Sequence, residues 1–107
     1  MSALTITNEE LAIVKQILQT HIPNLEVWAF GSRVKGNAKP YSDLDLAVIT
    51  REPLSLQAHA DLVDAFSESD LPWKVDIVDW ALLTENFKHV VQSQYMVVQA
   101  RKQKNKR

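Results

Sequence analysis

The sequence predicts one small α/β or α+β domain, in which a short mixed sheet of about three to four strands is flanked by helices. Two features of the 107 residues carry this prediction. Short apolar runs of strand length alternate with longer segments whose apolar residues recur at helical spacing, and no internal repeat interrupts the alternation. The composition, 46% hydrophobic and 23% charged, is typical of a soluble globular protein. A chain of this length can bury about two-thirds of its unfolded surface and so form its own core.

A first helix is predicted from the capping box that Thr7 and Glu10 can form. In such a box each side chain accepts a hydrogen bond from the backbone N–H of the other residue. The apolar residues that follow at helical spacing are Leu11, Val14, Ile17 and Leu18. Pro23 and Asn24 are expected to end this helix.

Three strands and two further helices are predicted after the first helix. The strands, each an apolar run between turn residues, are expected over residues 25–30, 42–49 and 74–79. A helix is expected over residues 55–68, between the second and third strands. Thr84 is a suitable N-cap for a last helix, whose apolar side would run from Phe87 to Val98.

Charge and composition exclude several functions for the predicted domain, residues 1–100. The formal net charge of -1 argues against nucleic-acid binding over the whole surface. The basic tail, residues 101–107 (RKQKNKR), is the exception, and a solvated end, docking on an acidic partner and weak contact with DNA all remain open for it. The absence of cysteine excludes disulfides and thiolate sites. No signal-peptide pattern opens the chain and no apolar run approaches the ~20 residues that span a bilayer, so we expect a soluble, cytoplasmic protein.

Asp43 and Asp45 stand one residue apart in an otherwise apolar strand. Because side chains alternate between the faces of a strand, both are expected to point the same way, with Cβ atoms roughly 7 Å apart. Two like charges at that separation cost stability unless a positive group lies between them. Mg²⁺ meets this need, since it prefers carboxylate oxygens and keeps positions for water and substrate phosphates. The alternative is a strand end in water, with Asp43 as a turn residue.

Asp76 supplies a third carboxylate, inside the apolar run of the third predicted strand. If the second and third strands are neighbours, Asp76 joins Asp43 and Asp45 on one face of the sheet. Three acidic groups on one sheet surface can hold two metal ions for in-line phosphoryl or nucleotidyl transfer. The alternative for Asp76 alone is an edge residue paired with Lys74 or with an arginine.

Gly31 and Ser32 follow the first predicted strand and precede a predicted helical turn. Backbone N–H groups at such a turn can hold a phosphate, small residues let the phosphate approach, and the Ser32 hydroxyl adds a donor. Arg33 and Lys35 could neutralise the same triphosphate, and a solvated surface position is an equal interpretation for each.

The spacing G-S-x10-D-x-D from Gly31 to Asp45, followed by a third acid at Asp76, resembles the signature of the DNA polymerase β-like nucleotidyltransferase superfamily. The run G-S-R-V-K-G is close to the family's usual G-S-R-A-R-G. The short chain resembles the minimal nucleotidyltransferases (MNT). Many of these are encoded beside a HEPN-domain protein, as the antitoxin of a toxin–antitoxin pair. The resemblance extends from the first predicted strand to the last helix.

The resemblance implies that Asp43, Asp45 and Asp76 are both catalytic residues and metal ligands. Asp43 and Asp45 would bind both of two Mg²⁺ ions, while Asp76 would complete the second metal site and assist deprotonation of the acceptor. The expected nucleotide-binding residues are Gly31, Ser32 and Arg33. No departure from the family pattern removes a catalytic group, so an active enzyme is favoured.

The resemblance further implies transfer of AMP from Mg-ATP to a hydroxyl, expected to be a tyrosine of a partner HEPN-domain toxin in a hetero-oligomeric complex. Two alternatives remain open. One is an antitoxin that neutralises its partner by covering it, for which carboxylates that repel each other would be unnecessary. The other is nucleotidyl transfer to a small molecule, for which such relatives usually need a further domain that 107 residues do not accommodate.

Overall fold

The computed structural model of the protein describes residues 4–101. Its elements follow in the order α1 (Asn8–His21), β1 (Glu26–Phe30), α2 (Ser32–Lys35), β2 (Leu44–Ile49), α3 (Leu56–Ser67), β3 (Val75–Asp79), a 3₁₀ turn (Trp80–Leu82), α4 (Glu85–Ser93) and β4 (Tyr95–Gln99). Within this range no helix combines the length and the apolar character needed to cross a membrane. Residues 102–107 lie outside the described residues, so the basic tail and the boundary near residue 100 stay predictions.

Capping side chains start the helices. Thr7 Oγ1 accepts a hydrogen bond from the Glu10 N–H at 3.0 Å, and Glu10 Oε1 accepts one from the Thr7 N–H at 2.9 Å, which confirms the predicted capping box. Thr84 Oγ1 accepts from the backbone N–H of Phe87, which confirms the predicted start of α4. A cap of this kind typically stabilises a helix by about 1 kcal/mol.

The four strands form one mixed sheet in the order β3-β2-β1-β4. β1 runs antiparallel to β2 and to β4, whereas β2 and β3 are parallel. A parallel pair needs a long crossover connection, and α3 provides it here. This sheet confirms the predicted fold class, and the pairing of β2 with β3 confirms that the second and third predicted strands are neighbours.

The end of the described chain differs from the prediction. The sequence predicts a last helix that continues to Val98, but α4 ends at Ser93 and Tyr95–Gln99 forms the edge strand β4. β-branched residues such as Val97 and aromatic residues such as Tyr95 favour extended backbone over helix. The pairing of β4 with β1 satisfies the backbone groups of this segment, and local spacing alone does not reveal that pairing.

Apolar side chains pack on both faces of the sheet. α1 and α3 cover one face. The core between these helices and the sheet includes the buried residues Val14, Leu18, Val27, Leu44, Leu46, Val48, Leu62, Phe66 and Ile77. α4 packs on the opposite face, where Phe30, Ala47 and Val91 are buried. Because side chains alternate along β2, Asp45 shares the second face with Ala47. The predicted site therefore lies on the face of the sheet that α4 packs against.

Candidate active site

The register of the sheet brings the predicted carboxylates together. Asp45 and Asp76 are partner residues in the parallel pair of β2 and β3, and partners in adjacent strands point to the same face. Asp43 lies two residues before Asp45, in the segment that enters β2. Asp45 is half-buried, whereas Asp43 and Asp76 are exposed. One carboxylate thus lies partly inside the site and two lie at its rim.

The carboxyl group of Asp45 is perturbed by its burial and by the two neighbouring acids. Burial raises the pKa of Asp45 from 3.8 to about 6, with further contributions from the negative charges of Asp76 and Asp43. Burial and like charges both disfavour the ionised form of a carboxyl group. At neutral pH the metal-free site therefore holds a carboxylate that is ionised at a cost in free energy.

Within the part of the chain that the structure describes, the carboxylates have no cationic side chain to balance them. Within residues 4–101 no lysine, arginine or histidine lies within ion-pair distance of Asp43, Asp45 or Asp76. Nor do three acidic or histidine side chains in this range converge into a ready-made metal cage. The donor set nevertheless fits Mg²⁺, which takes one or two protein carboxylates and fills its remaining positions with water and substrate phosphates. The uncompensated negative charge at Asp45 is what such a cation would relieve.

Gly31 packs its backbone directly against the Asp45 carboxyl group. A Cβ atom at Gly31 would lie 3.1 Å from Asp45 Cγ and closer still to Asp45 Oδ2, so the structure leaves no room for a side chain there. The Gly31 backbone has φ 84° and ψ −158°, a conformation open essentially only to glycine. Gly31 thus joins the end of β1 to α2 while it lies against Asp45. Ser32, the first residue of α2, follows it and is half-buried.

Arg33 is placed differently from the expectation that it binds nucleotide. Its side chain is buried, and the guanidinium donates hydrogen bonds to backbone carbonyls and lies over the ring of Trp73. Lys35, the other basic residue of α2, is exposed. The structure therefore brings Gly31, Asp45 and Asp76 together, and it turns the Arg33 guanidinium to the interior.

An aromatic row beside the carboxylates was missed by sequence reasoning. Phe30 is the strand partner of Asp45 on one side and of Tyr95 on the other, so these residues share a row across the sheet. Phe87 of α4 lies edge-on to Phe30, with ring centroids 5.8 Å apart, and Tyr95 stacks on Trp28 at 4.0 Å. Sequence reasoning missed this row because it predicted a helix up to Val98, where the structure has the strand that carries Tyr95.

Comparison with known proteins defines the class. A sequence profile of the nucleotidyltransferase domain matches residues 11–105. The chain belongs to this family, and the predicted nucleotidyltransferase resemblance is confirmed.

Particular relatives are similar over most of the chain. The probable protein adenylyltransferase MntA of Haemophilus influenzae is 59% identical over 96 residues, which are 90% of this chain and 84% of that protein. The crystal structure of a toxin–antitoxin with AMP-PNP superposes with a TM-score of 0.70 at 27% identity, covering 82% of this chain and 71% of the other. The tri-AMPylated HEPN toxin of Shewanella oneidensis in complex with MNT antitoxin gives a TM-score of 0.64 at 24% identity, covering 87% of this chain and 71% of the other, a likeness of fold.

Proposed function

We propose that this protein is a nucleotidyltransferase antitoxin that transfers AMP from ATP to a hydroxyl of a partner HEPN toxin and thereby neutralises it. The observation that carries the proposal is the pairing of Asp45 and Asp76 on one sheet face, with the charge of Asp43 acting on Asp45 and the Gly31 backbone against its carboxyl group. No cationic side chain within residues 4–101 pairs with these three carboxylates. The likeness to a protein adenylyltransferase supports this chemistry, and the likeness to a toxin–antitoxin with AMP-PNP supports both the partner and the nucleotide.

In the proposed reaction the oxygen of the acceptor hydroxyl attacks the α-phosphorus of ATP. A phosphodiester bond forms between the acceptor and AMP, the bond from the α-phosphorus to the bridging oxygen breaks, and pyrophosphate leaves. The proton of the hydroxyl passes to a base, and we assign this role to Asp76, which is exposed at the rim of the site. Bound Mg²⁺ would neutralise charge on the triphosphate and stabilise the attacking and leaving oxygens.

The residues divide between holding metal and holding phosphate. Asp43 and Asp45 would hold two Mg²⁺ ions, with Asp76 completing the second site. The raised pKa of Asp45 supports this role, because a bound cation would offset the cost of holding its carboxylate ionised. Gly31 and Ser32 would hold the triphosphate through the backbone N–H groups of the turn that begins α2.

A purely covering antitoxin fits these observations less well. Repulsion among Asp43, Asp45 and Asp76 destabilises the metal-free fold, and a protein that only covers its partner gains nothing from that repulsion. The acceptor expected from the family is a tyrosine, which brings its hydroxyl to the carboxylates from outside the chain. Because the reaction consumes ATP, we place the protein in the cytoplasm.

The proposal is tested by measuring the mass of the partner protein before and after the reaction. A HEPN-domain toxin, the proposed partner, is incubated with this protein and Mg-ATP, and both chains are measured by intact mass spectrometry. We expect the toxin to gain the mass of one or more AMP groups, and we expect Asp45→Asn to give no gain while it still binds the toxin. Asp64→Asn, at an exposed position of α3, is the matched control and should transfer normally. Complete neutralisation of the toxin without any change in mass would contradict the proposal.

A further inference from the structure

One buried side chain, Arg33, joins three separate segments of the chain. The residue is 4% exposed, and its guanidinium also lies 4.7 Å from the ring centroid of Trp73. It donates hydrogen bonds to the carbonyls of Thr5 (2.9 Å), Ser42 (2.9 Å), Pro40 (3.0 Å) and Lys39 (3.3 Å). Thr5 also donates to Arg33: its N–H and its hydroxyl both donate hydrogen bonds to the Arg33 carbonyl, each at 2.8 Å.

Two of the segments that Arg33 holds lead directly into carboxylates of the proposed active site. Ser42 immediately precedes Asp43, and Trp73 lies three residues before Asp76. Arg33 itself lies in α2, directly after the glycine and serine expected to bind phosphate. A single guanidinium therefore contacts the chain next to each part of the site that has to be aligned for transfer.

We infer that Arg33 is a positioning residue for AMP transfer, which sets the placement of Asp43 and Asp76 relative to the phosphate-binding turn and does not touch the nucleotide. The rate measurement below rests on the proposed function. The other two measurements need no acceptor, so a failure of the proposed function and a failure of this inference give different results.

The chemistry of arginine suits this role better than that of lysine. A guanidinium offers five N–H donors in a rigid planar fork, whereas an ammonium offers three donors from one atom. No acidic side chain within residues 4–101 forms an ion pair with Arg33, so backbone carbonyls compensate for its buried charge. Contact with a phosphate would require the guanidinium to leave these carbonyls, at the cost of buried acceptors without donors.

The test compares Arg33→Lys with Lys15→Gln, a change of an exposed basic residue in α1, away from the proposed site. Hydrogen exchange of the Ser42 and Leu44 amides, which donate to the carbonyls of Lys39 and Lys74, reports whether the entry to β2 is anchored. The ratio of ATP to AMP affinity reports whether a phosphate contact is lost. The kcat and KM of AMP transfer are then measured well below the melting temperature, on fully folded enzyme.

We expect Arg33→Lys to speed exchange at both amides, to leave the ATP-to-AMP affinity ratio and the KM for ATP unchanged, and to lower kcat by about a hundredfold, since small misplacements of reacting groups have effects of that size. Lys15→Gln should match the wild type in all three measurements. A selective loss of ATP affinity would show that Arg33 binds phosphate, and unchanged kcat would show that its role is stability alone. Either result overturns the inference.

A second variant keeps the test decisive if Arg33→Lys does not fold. Trp73→Leu removes the ring beneath the guanidinium and leaves Arg33 in place. We expect faster exchange of the Leu44 amide and a lower kcat with the same ATP-to-AMP ratio. Normal exchange and normal kcat in this variant would overturn the inference. If the wild type transfers no AMP, the proposed function fails, and the exchange data still decide whether Arg33 anchors the entry to β2.

Discussion

Replacing Asp45 with asparagine is expected to stabilise the metal-free protein while it abolishes transfer. The pKa of Asp45 is raised from 3.8 to about 6 by burial and by the charges of Asp76 and Asp43. At about 1.4 kcal/mol per pKa unit, the whole shift corresponds to about 3 kcal/mol, and solvent screening of a half-buried group reduces this to about 1–2 kcal/mol. Asparagine has nearly the same shape and no charge, so Asp45→Asn should recover this energy at neutral pH.

The pH dependence fixes the sign of this prediction. Because the pKa of Asp45 is higher in the folded state than in the unfolded state, the folded protein holds more protons between about pH 4 and pH 6. The free energy of unfolding of the metal-free wild type therefore falls as the pH rises through this window, and the loss is complete above it. Asp45→Asn lacks this contribution, so the two proteins should converge at the acid end and differ above about pH 6.

Urea unfolding across this pH range, in the presence of a chelator, measures the difference. Asp64→Asn, at an exposed position of α3, is the matched control and should follow the wild type. Adding Mg-ATP should make the wild type more stable than Asp45→Asn, because only the wild type gains the full binding energy of Mg-ATP. If Asp45→Asn is less stable than the wild type at neutral pH without metal, the Asp45 carboxylate is a structural group and the site assignment is wrong.

Three further predictions follow from the site and the sequence. Gly31→Ala should lose about 1–3 kcal/mol of unfolding free energy, because alanine disfavours this backbone conformation, and should lose AMP transfer because its Cβ meets Asp45. Gly36→Ala is the control, because Gly36 also has a positive φ but no atom of residues 4–101 lies near the position of its added Cβ. Calorimetry should show that this variant loses about 1 kcal/mol of unfolding free energy, while AMP transfer is retained. Equal activity in both variants would refute the role of Gly31. Mg-ATP at ~100 times its dissociation constant should stabilise the protein by roughly 2.7 kcal/mol and AMP by less, and equal thermal shifts would count against a triphosphate site. Deleting the basic residues 101–107 should leave the affinity for ATP unchanged and should slow association with the toxin at low salt, where attraction between charges is strongest. If the deletion weakens ATP binding and leaves toxin association unchanged, the tail belongs to the active site.

Local patterns predicted much of the fold because their physical causes are local. The box formed by Thr7 and Glu10 and the cap at Thr84 depend on residues three positions apart, and both appear as expected. The adjacency of Asp45 and Asp76 was predicted on the condition that their strands are neighbours, and the parallel register meets that condition.

The remaining features depend on contacts between residues far apart in the sequence. Valines at helical spacing also suit an edge strand, and only the pairing with β1 decides that Tyr95–Gln99 is extended. The sequence shows that residue 33 is an arginine, but it does not show whether the side chain faces a phosphate or the interior. The contacts that bury Arg33 come from Thr5 and Trp73, which are distant in the sequence. The contact between Gly31 and Asp45 likewise becomes visible only once β1 and β2 are paired.

The most direct test of the account is the origin of the phosphorus that reaches the toxin. The toxin is incubated with this protein and with ATP carrying radioactive phosphorus at either the α or the γ position. We predict that label from the α position becomes covalently attached to the toxin and label from the γ position leaves with pyrophosphate, and that Asp43→Asn, Asp45→Asn and Asp76→Asn attach neither. Attachment of the γ label would show phosphoryl transfer instead, and a toxin neutralised without any label would contradict the central claim that the three carboxylates form a nucleotidyl-transfer site.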